Sequence, residues 1–240
     1  MNSTVQAVLV DLDDTLYPQS EFLDAAWQAV ADVACEHGVD RENLLAALRA
    51  TAAEGSDRGR IIDRALAATG CSADALGTLL KPLLAAFRGA CPPRLNPYPG
   101  VVEALVRLRR RVPLALITDG EVDGQGRKLC ALGLAGAFDT VVFSDTWGRE
   151  FRKPHRRPFE VALQRLAVTA DNAVMIGDRP DKDIAGAAGL PMRAIRVRTG
   201  EYGHRPDHPG TWMTAADFPA ALHLLMPYLP AADRGAAAAG

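Results

Sequence analysis

Hydrophobic positions along the chain follow two different rhythms. Between about Tyr17 and Ala90 they recur every three or four residues, in Phe22-Leu23-Ala26-Trp27-Val30, Leu44-Leu45-Leu48 and Ile61-Ile62-Ala65-Leu66, a spacing that lines up one face of a helix. On either side they come as short unbroken runs: Val8-Leu9-Val10 before this stretch, and Leu114-Ala115-Leu116-Ile117-Thr118, Thr140-Val141-Val142-Phe143-Ser144, Ala173-Val174-Met175-Ile176 and Ala194-Ile195-Arg196-Val197 after it. Such runs read as strands buried on both faces, and the helical stretches between them, residues 101–110, 125–132 and 158–166, as crossovers of a parallel sheet. The pattern predicts an α/β fold whose first strand is followed by an all-helical insertion.

The borders of the insertion are marked by proline. Tyr17-Pro18 precedes it, and Cys91-Pro92-Pro93-Arg94-Leu95-Asn96-Pro97-Tyr98-Pro99-Gly100 follows it, where repeated rings forbid helix and limit chain freedom. The expected division is a core of residues 1–17 and 96–230, a helical unit of 18–95 with hinge linkers, and a flexible tail of 231–240. A polar loop, Glu54-Gly55-Ser56-Asp57-Arg58-Gly59, either faces a substrate or merely joins helices. Residues 217–229 read as a terminal helix.

Composition narrows the function by exclusion. The 240 residues carry a net charge of -2, which offers no general attraction to nucleic acid. No apolar run reaches the roughly 18 residues of a membrane span, and no basic stretch followed by an apolar core opens the chain, so the expectation is a cytoplasmic protein with no membrane or nucleic-acid partner. Cys35, Cys71, Cys91 and Cys130 form no C-x-x-C pair, which argues against zinc and against a disulfide framework, and reads as buried or incidental free thiols. Arg107, Arg109, Arg110 and Arg111 close a predicted helix, where cations complement the helix dipole. The sequence does not determine the oligomeric state.

Candidate chemistry gathers where the strands end, the place where open α/β sheets hold their ligands. The first run stops in Asp11-Leu12-Asp13-Asp14-Thr15, and period-two alternation would send Asp11, Asp13 and Thr15 to one side. Neighbouring carboxylates repel unless a cation lies between them, which suggests a Mg²⁺ site. Thr118-Asp119-Gly120 ends the second run. Lys153, set in an extended segment by Pro154, follows the third. Gly177-Asp178 ends the fourth, with Asp183 at the start of the next helix.

The ordered set Asp11-x-Asp13-x-Thr15, Thr118, Lys153, then Gly177-Asp178 with Asp183 resembles the haloacid dehalogenase-like (HAD) hydrolase superfamily over residues 5–197. The helical insertion after the first motif resembles the C1-type cap of its subfamily I. The resemblance implies a doubly wound Rossmann-like core and phosphatase-like chemistry on a small phosphomonoester. It implies Asp11 as a nucleophile that becomes an aspartyl-phosphate, Asp13 as general acid and base, and Mg²⁺ held by Asp11, the Asp13 backbone carbonyl and Asp178. Thr118 would contact the phosphoryl oxygens, and Lys153 would add charge while restraining Asp11. Asp183 would bind metal directly or support it, with Thr15 and Gly177 as supporting residues. Asp119, grouped with the phosphate-binding positions, departs from the asparagine of many relatives and bears on substrate contacts. A phosphomutase uses the same residues and stays an alternative; a 2-haloacid dehalogenase is disfavoured because that branch lacks the second aspartate, and a non-catalytic protein would be expected to lose a motif residue.

Overall fold

The computed structural model describes residues 4–55 and 59–232; the centre of the 54–59 loop and residues 233–240 lie outside them. The chain divides into two compact units, Met1–Gln19 with Arg94–Gly240, and Ser20–Pro93.

In the first unit six strands form one sheet. They are β1 (Ala7–Val10), β2 (Leu114–Thr118), β3 (Thr140–Phe143), β4 (Ala173–Gly177), β5 (Arg193–Val197) and β6 (Met213–Ala215), in the order β3-β2-β1-β4-β5-β6 and parallel throughout. This is the doubly wound Rossmann-like arrangement, with its order reversing at β1 and β4. Every residue of β1, β2 and β4 is buried, which is why these strands read as unbroken apolar runs. In register, Leu9 lies opposite Ala115 on one side and Met175 on the other. The three tips that carry Asp11, Thr118 and Asp178 are therefore neighbours.

Helices α5 (Val101–Arg109), α6 (Val122–Ala131), α7 (Arg156–Leu166) and α8 (Ala185–Ala188) lie between the strands, and α9 (Phe218–Leu225) follows β6. Phe159, Ala162 and Leu163 of α7 share one core with Leu9, Ala115, Ile117, Met175 and Ala194 of the sheet. Phe159 is wholly buried, so its truncation to Ala would cost roughly 3–5 kcal/mol. β6 escapes sequence reading because three residues, Met-Thr-Ala, at a sheet edge carry no apolar run. The expected helix 217–229 starts at its Asp217 cap, which accepts from the Ala220 amide at 2.8 Å. It tightens into a 3₁₀ turn at Met226–Tyr228, since Pro227 has no N–H to continue an α-helix.

The second unit is built from α2 (Arg41–Ala53), α3 (Ile61–Ala68), α4 (Ala73–Gly89) and nearly all of α1 (Gln19–Glu36). Trp27, Val30, Leu44, Leu48, Ile62, Leu66 and Leu83 form its core, and Trp27 stacks on Phe87 with centroids 4.8 Å apart. The three helical patterns of the sequence are α1 to α3; α4 is less legible because Pro82 sits inside it. Cys35, Cys91 and Cys130 are exposed rather than buried, Cys71 is half-buried, and all four are free. Arg107 and Arg109 lie in the last turn of α5, and Arg111 donates to the Pro230 carbonyl at 2.7 Å. Among the described residues no helix is long and apolar enough to cross a membrane.

Candidate active site

β1 stops at Val10, one residue before Asp11, whose amide still donates to the Ile176 carbonyl at 3.0 Å. The expected strand-like alternation through Thr15 does not occur. Asp14 takes a left-handed conformation with φ of 59°, and the Leu16 amide donates back to the Leu12 carbonyl at 3.0 Å. Residues 11–17 thus form a tight turn. Its effect is to separate the two aspartates: Thr15 folds back onto Asp11, while Asp13 is turned toward α6. Asp14 itself anchors the turn, its carboxylate accepting from the amides of Gln19 at 2.9 Å and Glu201 at 3.1 Å.

Asp11, Asp178 and Asp183 are buried, and each presents one carboxylate oxygen within 4.8 Å of the others. The Thr15 hydroxyl donates to Asp11 Oδ2 at 2.9 Å and accepts from the Asp178 amide at 3.1 Å, tying the tips of β1 and β4 together. Asp183 sits in a π-helical turn, Pro180–Ile184, and its Oδ2 accepts from the Arg179 amide at 3.0 Å. Gly177 is required by contact: a Cβ there would collide with the Asp183 carboxyl group.

Lys153 supplies the cation among these carboxylates. Its ammonium donates to Asp11 Oδ1, to Asp183 Oδ1 at 2.7 Å and to the Ile117 carbonyl at 3.2 Å, which uses all three of its protons. Burial alone would lower its pKa, but the facing carboxylates of Asp11, Asp183 and Asp119 hold it well above the ordinary range. One ammonium does not balance three buried carboxylates. Burial, aided by Asp183 and Asp13 and opposed by Lys153, pushes Asp11 up to about 7; burial and the neighbouring Asp11 and Asp183 raise Asp178 well above the usual carboxylate range. An all-oxygen, over-negative donor set of this kind fits a hard divalent cation. The acidic cluster includes Asp183 and leaves out the Asp13 side chain.

Asp13 is held in a different way. Lys128 Nζ lies 2.7 Å from its Oδ1, the Tyr17 hydroxyl donates to the same oxygen at 2.6 Å, and Gln125 Nε2 donates to Oδ2 at 2.8 Å. Burial alone would raise its pKa, but Lys128, helped by these hydrogen bonds, keeps it below the ordinary value. Thr118 is wholly buried at the end of β2 and accepts from the Gln125 amide, so Gln125 links it to Asp13. The sequence alone does not single out Tyr17, Gln125 or Lys128 as partners of Asp13; Gln125 and Lys128 look like ordinary polar positions three residues apart on a helix, and Tyr17 like a border residue before Pro18.

Asp119 points into the protein. Its Oδ1 accepts from the Ser144 hydroxyl at 2.8 Å and from the Lys153 amide at 3.1 Å, and its Oδ2 lies 3.7 Å from Lys182 Nζ. It therefore braces the segment that carries Lys153. The same segment is fixed by Arg152, which donates to Asp145 at 2.6 Å and 2.5 Å, while Asp145 also accepts from the Gly120 amide at 3.2 Å.

Residues 5–190 match the haloacid dehalogenase-like hydrolase family. The chain is 36% identical over 204 residues to a glyceraldehyde 3-phosphate phosphatase of Methanopyrus kandleri, covering 82% of this chain and 86% of that protein. It is 40% identical to a phosphoserine phosphatase of Thermus thermophilus over 113 residues, 47% of this chain and 43% of the other. Its fold is shared with the HAD-hydrolase YfnB of Bacillus subtilis, solved bound to magnesium, at a TM-score of 0.67 and 18% identity, covering 93% of this chain and 99% of that one. The chain belongs to the haloacid dehalogenase-like hydrolases.

Proposed function

We propose that this hydrolase is a Mg²⁺-dependent phosphomonoesterase for a small phosphorylated metabolite, working through phosphoryl transfer to Asp11. The observation that carries the reading is the unequal treatment of two aspartates two residues apart: Asp11 sits in an over-negative cluster beside Lys153, whereas Asp13 is clamped singly by Lys128, Tyr17 and Gln125. Relatives 31–36% identical over most of the chain act as glyceraldehyde 3-phosphate phosphatases, which supports a small phosphoester as substrate.

Asp11 attacks phosphorus, forming an Asp11–phosphoryl bond as the bond to the ester oxygen breaks. Asp13 gives a proton to the departing alcohol, then takes one from the water that attacks the phosphorus and returns Asp11 to a carboxylate. Lys153 keeps Asp11 oriented and adds positive charge where the phosphoryl oxygens gather. Thr118 offers its hydroxyl to one of those oxygens. Asp11, Asp178 and the Asp13 backbone carbonyl would hold Mg²⁺, with Asp183 supporting. The ion, when bound, supplies the charge that lets one anion attack another. The Ser20–Pro93 unit acts as the substrate-selecting cap, and Asp13, which serves no purpose in carbon–halogen cleavage, favours the phosphatase over a dehalogenase.

Free phosphate release is measured for D-glyceraldehyde 3-phosphate, phosphoserine, phosphoglycolate and p-nitrophenyl phosphate, and for a phosphopeptide, each in Mg²⁺ and in EDTA. At least one small ester is expected to turn over in Mg²⁺ alone, with kcat/KM on the order of a hundredfold above the phosphopeptide. Absence of release from every ester, or full activity in EDTA, contradicts the proposal.

A further inference from the structure

Helix α6 presents Gln125 and Lys128, three residues apart and both buried, on one face. Among the described residues Asp13 Oδ1 receives two donors, Lys128 Nζ at 2.7 Å and the Tyr17 hydroxyl at 2.6 Å, and Oδ2 receives one, Gln125 Nε2 at 2.8 Å. A carboxylate oxygen accepts along two lone pairs. Oδ1 is thus saturated, and Oδ2 keeps one direction open.

The second proton of the Gln125 amide goes to Thr118 Oγ1. A hydroxyl that accepts from an amide keeps its own proton to give, so Thr118 is set as a donor. The chain makes room for this bridge. Gly120, with φ of 132°, lies where a Cβ would come 3.2 Å from Gln125 Cγ and Cδ, close enough that the glutamine would have to shift.

We infer that Gln125 and Lys128 are positioning residues for the reaction: clamped between them and Tyr17, Asp13 exchanges its proton through Oδ2, and Gln125 turns the Thr118 hydroxyl toward the phosphoryl group. The inference rests on the phosphatase reading above. In the first step the proton on Asp13 Oδ2 passes to the ester oxygen as that oxygen leaves phosphorus and Asp11 bonds to it. In the second, Asp13 Oδ2 takes a proton from water as the water oxygen bonds to phosphorus and the Asp11–phosphorus bond breaks. Lys128, paired with Asp13 Oδ1, is placed to act through Asp13.

The test compares kcat/KM, which reports the first step, for two esters: an alkyl phosphate, whose alcohol leaves only with a proton, and p-nitrophenyl phosphate, whose phenolate leaves without one. Lys128→Met lets Asp13 take up its proton more readily but frees Oδ1, so the carboxyl is no longer aimed at the ester oxygen. The loss of aim is expected to dominate, with at least about tenfold more lost on the alkyl ester than on the aryl ester and Lys128→Arg restoring most of the difference. Gln125→Ala, lacking the Thr118 bridge as well, is expected to lose activity on both esters and more on the alkyl one. A role in folding alone would lower both esters equally, so equal losses in both variants, at unchanged circular dichroism, overturn the inference while leaving the phosphatase reading intact. Should either variant fail to fold, the other carries the comparison. A wild-type enzyme that releases no phosphate from either ester overturns both readings.

Discussion

Two ion pairs two residues apart in the chain show how one fold prepares two carboxylates for different work. At the junction of β1 and β4, three buried carboxylates share one ammonium, Lys153. At α6, one carboxylate, Asp13, faces one ammonium, Lys128, and two neutral donors. The first cluster carries surplus negative charge and binds protons more readily than free carboxylates do; the second is balanced and binds its proton less readily. Surplus negative charge suits a place where a divalent cation and a phosphoryl group are to be received, and a balanced carboxylate, clamped at one oxygen and open at the other, suits a place where only a proton moves. The turn at Asp14 creates the difference, because a continued strand would have left both aspartates on one side.

The largest effect should come from removing the anionic nucleophile. Asp11→Asn nearly preserves shape, and kcat for the best small ester is expected to fall on the order of 10⁴-fold or more, with a melting temperature no lower than that of the parent, since the substitution relieves repulsion among the three carboxylates. Retained turnover would erase the distinction between the two aspartates.

The next effect sharpens the composition of the first cluster. Asp178→Ala is expected to raise the Mg²⁺ concentration needed for half-maximal activity by more than about 100-fold, and Asp183→Ala by about 10-fold, the scale of a supporting residue. The same ranking is expected from calorimetric titration with Mg²⁺ alone. Equal effects would make Asp183, whose Oδ1 already pairs with Lys153, as much a ligand as Asp178.

Much of this architecture is legible in the chain, and the illegible parts share a cause. β1, β2 and β4 announce themselves because strands buried on both faces need unbroken apolar runs, and their tips are marked by Asp11, Thr118 and Asp178, polar residues that end those runs abruptly. Lys153 is legible as the lysine before a proline. Gln125 and Lys128 are not, because a helix displays them as a polar pair like many others, and only the turn at Asp14 brings Asp13 within their reach. That turn depends on a left-handed aspartate, which no local pattern announces. Asp119 reads as a substrate contact, since it follows Thr118, and nothing in the sequence shows that its Oδ1 also accepts from Ser144 and the Lys153 amide. β6 is silent because an edge strand of three residues buries too little to need a pattern.

The smallest effect is expected at a third ion pair, Asp145 with Arg152, one-to-one like that of Asp13 but serving only to hold the Lys153 segment. Burial alone would raise the Asp145 pKa, but Arg152 holds it below the ordinary carboxylate value. The pair therefore adds stability above about pH 4, where the unfolded chain has already lost this proton, and loses it as pH falls through the lower folded value. Partial exposure limits the contribution to about 0.5–1 kcal/mol. Urea midpoints of Arg152→Gln should lie below those of the parent at pH 7, and the gap should narrow toward pH 3. A constant gap would assign the loss to packing of the arginine rather than to its charge.

The distinct roles of the two aspartates are tested most directly by trapping the phosphorylated residue. Enzyme turning over its best substrate in Mg²⁺ is quenched in acid and reduced with borohydride, which converts an acyl phosphate of aspartate into homoserine, and the peptide containing residues 11–14 is sequenced by mass spectrometry. The account expects homoserine at position 11 and unmodified aspartate at 13 and 14. Homoserine at position 13, or turnover with none at either position, would contradict it.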